Sequence, residues 1–211
     1  MLLNKPGQTY EHNGTPFEVG CGIYAVKSDY KGLYGTIAEI RNGKDKDTRN
    51  RGVDVYCRFF PPINKEVEKK IEKRMSAYYG DPMRFDDIAI DLVIMAPDML
   101  RLAKKCRVYQ LTDKGCQFWF RPYELVKALG LTAPQGDLYH VVYDGDLHTD
   151  ELEEIFYILN CRHPEGYKGW SLSMSDIVEL YDEKQSAYYY CDTFGFQEVP
   201  FVPAEKEVRH V

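Results

Sequence analysis

The stretch that most constrains the fold is residues 170–200, W-S-L-S-M-S-D-I-V-E-L-Y-D-E-K-Q-S-A-Y-Y-Y-C-D-T-F-G-F-Q-E-V-P. Two short apolar runs, 176–181 and 187–191, flank a polar turn, and together they read as a β-hairpin. Similar punctuation recurs upstream. Residues 20–27 and 33–41 read as strands, the second with near alternation of apolar and polar side chains. Asn42-Gly43 then marks a turn, because both residues tolerate positive φ. The polar run 44–52 extends that turn into an exposed loop, and a strand over 53–60 stops at Pro61-Pro62.

The spacing of Ile63, Val67, Ile71 and Met75 puts four apolar side chains on one face and predicts a helix over 63–79, ended by Gly80-Asp81-Pro82. Residues 91–95 predict a buried strand, and Pro97 a short helix to 104. The chain before residue 20 reads as a loop. In the second half, 108–111 and 117–120 predict a hairpin around Asp113-Lys114-Gly115. Pro122 opens a helix that ends at Gly130, and 138–143 reads as a strand. Thr149 precedes a helix in which Leu152, Ile155, Phe156 and Leu159 share a face, with Asp150 and Glu151 favouring its positive end. Residues 161–169 are rich in turn formers, and the charged tail after Pro203 is expected to fray.

Strand and helix mix in both halves without βαβ regularity, so the expected class is α+β. The expected form is two small mixed domains, 1–104 and 105–211, each an antiparallel or mixed sheet packed against one or two helices. An apolar fraction of 44% and a charged fraction of 28% suit a globular chain. The 17 tyrosines suit half-buried sheets and interaction surfaces, a homodimer surface among them. No apolar run approaches the ~18 residues of a membrane span. The start Met1-Leu2-Leu3-Asn4-Lys5-Pro6-Gly7 breaks too early for a signal peptide. Six cysteines without a C-x-x-C read as reduced thiols in the cytoplasm.

Charge is uneven. Residues up to 103 carry 16 Lys+Arg against 15 Asp+Glu, and the remainder carries 11 against 18. Eight acidic residues between Asp137 and Glu165 face only Arg162. That does not suit a nucleic-acid groove, which needs a basic surface. It suits a basic protein partner, with Asp144, Asp146, Asp150, Glu151, Glu153 and Glu154 as the expected contacts, or else simply a solvated helix face.

The other candidates each have a plainer reading. Cys161-x-His163 offers half a metal site or a thiol beside a base, but no second Cys/His pair completes a zinc set, so it reads as loop. Asp45-x-Asp47 begins like a calcium loop, yet Arg49 and Tyr56 stand where ligands belong. Ser171, Ser173 and Ser175 would share one side of an extended segment and offer hydroxyls to a ligand; the plainer reading has Ser175 or Asp176 closing a turn. Asp86, Asp87 and Asp91 lack an acid–base partner. Lys65, Lys69, Lys70, Lys73 and Arg74 form a basic stretch that Glu66, Glu68 and Glu72 interrupt. The sequence contains no P-loop, G-x-G-x-x-G, G-x-S-x-G or H-E-x-x-H, and no metal or cofactor is expected.

Phe120-Arg121-Pro122-Tyr123-Glu124, Tyr139-His140-Val141-Val142-Tyr143 and His163-Pro164 carry a family resemblance. Stronger still are the runs G-W-S-L-S-M-S-D-I-V from Gly169 and Y-Y-C-D-T-F-G-F from Tyr189. On these residues the second half resembles the YodL-like domains of conjugative and other mobile elements in Gram-positive gut bacteria. The runs G-L-Y-G-T-I from Gly32 and D-L-V-I-M-A-P-D-M from Asp91 resemble a segment fused to such domains in mobile-element cargo proteins. The resemblance implies genetic context and no catalytic residue. The expected function is therefore a non-enzymatic, macromolecule-binding accessory protein that counters host defence through its acidic surface. The alternatives are a nucleic-acid-binding transfer factor using the basic stretch, and an enzyme using Cys161 and His163.

Overall fold

A computed structural model describes residues 1–130 and 133–204. It is an α+β protein of two compact units, Met1–Ala103 and Lys104–Val211. Residues 205–211 of the charged tail lie outside the described residues.

The first unit comprises β1 (Leu2–Leu3), β2 (Thr9–His12), β3 (Thr15–Glu18), β4 (Gly22–Ala25), β5 (Tyr34–Arg41), β6 (Asp54–Phe59), α1 (Lys65–Tyr79), β7 (Val93–Met95) and β8 (Leu100–Leu102). An antiparallel sheet runs in the order β7-β6-β5-β4-β8, and β1 also pairs with β5. Strand β5 approaches β6 so closely that a Cβ on Gly35 would lie 2.5 Å from the Arg58 carbonyl oxygen. The α1 helix starts where the Asn64 side chain accepts the Glu66 N–H, and ends on Gly80 in the left-handed region at φ 78°. Its Ile71 and Met75 join the core formed by Ile37, Val55 and Phe59 of the sheet.

Three expectations change in this unit. The opening stretch is not all loop: β2 and β3 form a hairpin around Asn13-Gly14, both at positive φ. The strand expected to be buried over 91–95 is the short edge strand β7, with Ile94 exposed. The helix expected from Pro97 is one 3-10 turn, Pro97–Met99, followed by β8. Leu100, Arg101 and Leu102 alternate at period two and pair with Ala25, Tyr24 and Ile23, which satisfies an edge of β4 that a helix would leave open.

The second unit comprises β9 (Lys105–Leu111), α2 (Tyr123–Ala128), β10 (Gln135–Gly136), β11 (Tyr139–Gly145), α3 (Leu152–Cys161), β12 (Ile177–Tyr181), β13 (Ser186–Cys191), β14 (Phe196–Glu198) and β15 (Val202–Pro203). The sheet order is β11-β9-β12-β13-β14, antiparallel throughout, and β10 pairs with β15. The expected hairpin over 176–191 is present as β12 and β13. The hairpin expected at 108–120 is absent, and residues 113–118 form a 3-10 turn. Both edges of β9 are already taken by β11 and β12, so no ladder position is left for a further strand.

One face of this sheet carries Tyr109, Leu111, Ile177 and Tyr190, which pack with Tyr123 and Val126 of α2 and with Phe118 and Phe201. In α3 the buried residues are Ile155, Ile158 and Leu159, at the i, i+3, i+4 spacing of one face. Phe156, expected among them, is exposed and meets Phe196 edge to face. Among the described residues no helix is long and apolar enough to cross a membrane.

Candidate functional site: an aromatic rim over a buried polar clamp

Strand register brings three loops to one end of the second sheet. Leu111 closes β9, Ile177 opens β12 and Cys191 closes β13, and the antiparallel pairing sets these three termini side by side. The loops 112–122, 169–176 and 192–195 therefore converge, and each exposes large aromatic groups. Trp119 is 36% exposed, Phe120 62%, Trp170 45% and Phe194 94%. Trp119 and Trp170 meet edge to face at 6.2 Å. Large rings left in water on adjoining loops mark an interaction surface more readily than scattered single residues do.

Beneath the rim lies a set of fully buried polar groups. Gln110, 0% exposed and next to the last residue of β9, donates through Nε2 to the Trp170 carbonyl (3.0 Å) and to Asp176 Oδ2 (2.9 Å). Its Oε1 accepts the Trp170 N–H at 3.1 Å. The Tyr167 hydroxyl also donates to the Trp170 carbonyl. A Cβ on Gly169 would sit 2.3 Å from Gln110 Oε1, so only glycine admits this contact. Asp176 Oδ2 further accepts the Ser173 N–H at 2.9 Å and the Ser173 hydroxyl at 3.4 Å. Asp176 thus closes the turn, as the sequence suggests.

Two non-glycine residues of the rim hold positive φ, Phe120 at 56° and Ser175 at 83°, and the Ser175 hydroxyl accepts the Phe120 N–H. Each such conformation costs on the order of 1–3 kcal/mol and persists only where its surroundings impose it. Asp176 itself is 2% exposed, and among the described residues no cation pairs with it. Burial pushes its carboxyl up to about 7, although the hydrogen bonds from Ser173 and Gln110 pull the other way.

The opposite end of the sheet is polar. Gly145 pairs with Cys106 there, so β11 delivers the acidic segment to the end away from the aromatic rim. Glu179 is buried and accepts from Arg107, from the Tyr109 hydroxyl and from the Ser186 hydroxyl, each at 2.7 Å. Arg107 also binds Asp144 at 3.0 Å, and the Tyr181 hydroxyl donates to Asp144. Despite burial, these oxygens hold the Arg107 guanidinium well above its ordinary range.

Of the six acidic residues expected as contacts, at least four serve internal bonds. Asp144 holds Arg107, Asp150 accepts the Lys104 N–H, and Glu154 accepts the Thr149 hydroxyl. Asp146 accepts the His148 N–H through Oδ1, while Glu151 and Glu153 stand exposed at the start of α3.

The remaining candidates fall elsewhere. Cys161 ends α3 and is exposed, while His163 stacks on Tyr167 at 5.7 Å. In the loop of Asp45 and Asp47, the Lys46 ammonium takes the centre. It donates to the carbonyls of Asn50 and Gly52 and to Asn50 Oδ1, and lies 3.5 Å from the fully buried Asp54. Asp54 also accepts from the N–H groups of Asp47 and Thr48, the Thr48 hydroxyl and the Asn50 amide. Asp86 and Asp87 belong to a 3-10 turn, and Asp91 binds Arg58 at 2.7 Å. On α1, Lys65 pairs with Glu68 and Lys69 with Glu66. Among the described residues no group of three or more His, Cys, Asp or Glu is placed to hold a metal ion.

Gln110 escaped the sequence reading because a polar residue inside an apolar strand carries no periodic signal, and its partners lie some sixty positions on. Comparison with curated proteins and with solved structures gives no significant match. Residues 105–201, which carry the five-stranded sheet, both helices of the second unit and all three rim loops, match the model of the YodL-like domain.

Proposed function

We propose that the chain is a non-enzymatic binding protein that docks a protein partner through the aromatic end of its second unit. The observation that carries this reading is the set of four exposed rings, Trp119, Phe120, Trp170 and Phe194, on three converging loops, of which 169–176 is held from below by Gln110 and Asp176. A rigid aromatic surface loses little side-chain entropy on binding and supplies the anchors typical of interface hot spots.

The finer reading is an accessory protein of a mobile element that inhibits a host defence nuclease of the anti-restriction or anti-CRISPR type. The acidic bias of the second half supports it, since a basic nuclease surface would be steered toward such a field. Within the acidic set, this reading keeps Asp146, Glu151 and Glu153 as contacts because their side chains are exposed.

Affinity capture from a lysate of a defence-carrying host, with nuclease treatment, tests both levels. A stoichiometric protein retained by the native chain and lost with Trp170→Ala or Phe120→Ala supports the aromatic surface. Retention by both variants defeats it. Slower association after Glu151→Lys with Glu153→Lys supports electrostatic steering, and unchanged association removes the acidic component. Capture that disappears on nuclease treatment would return weight to the lysines of α1.

A further inference from the structure

Asp176 makes no contact that a docked partner would use, yet it anchors the loop that presents Trp170. Buried carboxylates usually face an arginine or lysine, because an ion without water or a counter-ion is costly. Here the neighbours come from several elements, and among the described residues none is a cation. Gln110 faces it from β9 and Ser173 from its own loop. Tyr139 approaches from β11, with its hydroxyl donating to the Ser175 carbonyl. Tyr190 and Cys191 lie on β13, and Tyr167 on the loop after α3.

We infer that protonation of Asp176 governs whether the loop 169–176 holds Trp170 against Trp119, so that the aromatic surface is assembled in a pH-dependent way. This rests on the reading of the aromatic end as the docking surface. The proton comes from and returns to solvent, and no other bond changes. With the proton on, a neutral carboxyl lies among neutral groups and keeps an acceptor for Ser173 and Gln110. With the proton off, three donors converge on one oxygen but no positive charge answers it. The ion then gains most by reaching water, and it can do so only if the loop leaves Gln110. Loss of that contact frees the Trp170 N–H and leaves its carbonyl to the Tyr167 hydroxyl alone. The position of the transition follows from burial, which sets the Asp176 carboxyl at about 7.

The chain's 2 tryptophans are Trp119 and Trp170, so emission excited where its 17 tyrosines do not absorb reports on the surroundings of these two rings, which meet edge to face. The full chain, titrated from about pH 5 to about pH 9, is expected to shift its emission to the red with a midpoint near neutrality. The shift should vanish in Asp176→Asn and survive in His163→Gln, which removes the imidazole stacked on Tyr167. A flat titration of the native chain, or the same transition in Asp176→Asn, overturns the inference.

Should Asp176→Asn fail to fold, carbon NMR of the native chain with labelled aspartate carboxyls decides. One carboxyl titrating together with the fluorescence supports the inference, and titration of every carboxyl below about pH 5 overturns it. The docking reading fails separately. Undiminished partner capture by Trp170→Ala, with the native titration intact, defeats docking and leaves the proton switch standing. Capture lost in Trp170→Ala, with a flat titration, does the reverse.

Discussion

Asp54 in the first unit and Asp176 in the second are both buried, both gather several donors, and both tie a loop to a strand. They differ in their partners. Asp54 has the Lys46 ammonium at 3.5 Å, whereas among the described residues no cation pairs with Asp176. Burial alone pushes Asp54 up, but the Thr48 hydrogen bonds and Lys46 outweigh it and hold the carboxyl below its ordinary value. For Asp176 burial wins, and the group moves to about 7. Two aspartates of similarly low exposure are therefore a fixed strut in one loop and a titratable joint in the other. The difference comes first from the two Thr48 hydrogen bonds to Asp54 and then from the charge of Lys46, for which the second loop has no counterpart.

The largest effect comes from making the first loop resemble the second. Lys46→Met leaves Asp54 buried and unpaired and empties the centre of a ring of oxygens. Removing one partner of a buried pair costs about 4 kcal/mol, read as a drop in urea-unfolding stability at neutral pH. In the native chain the Asp54 contribution is complete above its unfolded value of 3.8 and is lost as pH falls through the lowered folded value. A loss below about 1 kcal/mol in Lys46→Met would mean that Thr48 and Asn50 carry the carboxylate unaided, and the contrast with Asp176 would collapse.

The reverse sign holds for Asp176. Below 3.8 the group is protonated whether the chain is folded or not. Between 3.8 and about 7 only the unfolded chain gives up the proton, so stability falls as pH rises, and it levels off above about 7. Over about pH 5 to about pH 8 this amounts to about 3 kcal/mol. Asp176→Asn should flatten that slope in denaturant unfolding. An unchanged slope would assign the pH dependence to other groups.

Much of the frame could be read in advance because its signals are local. Asn64 and Gly80 mark the ends of α1, Asn42-Gly43 marks the departure from β5, and the polar turn after Tyr181 marks the last hairpin. Asn13-Gly14 is an equally local signal for the β2–β3 hairpin, but the runs beside it are short and polar and give no strand periodicity of their own. The misread segments, 97–104 and 117–120, depend on which strand edges remain open, and that is decided by partners far along the chain. The site divides in the same way. The turn closed by Asp176 is written in Ser173 to Asp176, whereas the missing counter-ion and the grip of Gln110 on Trp170 exist only once β9 and β12 lie side by side.

Gly169→Ala probes how tightly the second loop is held. The new methyl would fall 2.3 Å from Gln110 Oε1 and 3.0 Å from Val142 Cβ, so Gln110 must release the Trp170 backbone. A cost of about 2 kcal/mol is expected, together with loss of the Trp119–Trp170 contact in the fluorescence spectrum. A stable variant with native fluorescence would show that the clamp has room to spare.

The smallest effect calibrates the rest. Arg58 and Asp91 form a pair at 2.7 Å, shorter than Lys46–Asp54, but both side chains are more than half exposed. Water and salt screen such a pair, and ordering two side chains offsets much of the attraction. Asp91→Asn should therefore change unfolding stability by less than about 0.5 kcal/mol, and the change should shrink further in high salt. An effect as large as that of Lys46→Met would mean that proximity of charge, rather than exclusion of water, decides what these carboxylates do, and the distinction between Asp54 and Asp176 would need another cause.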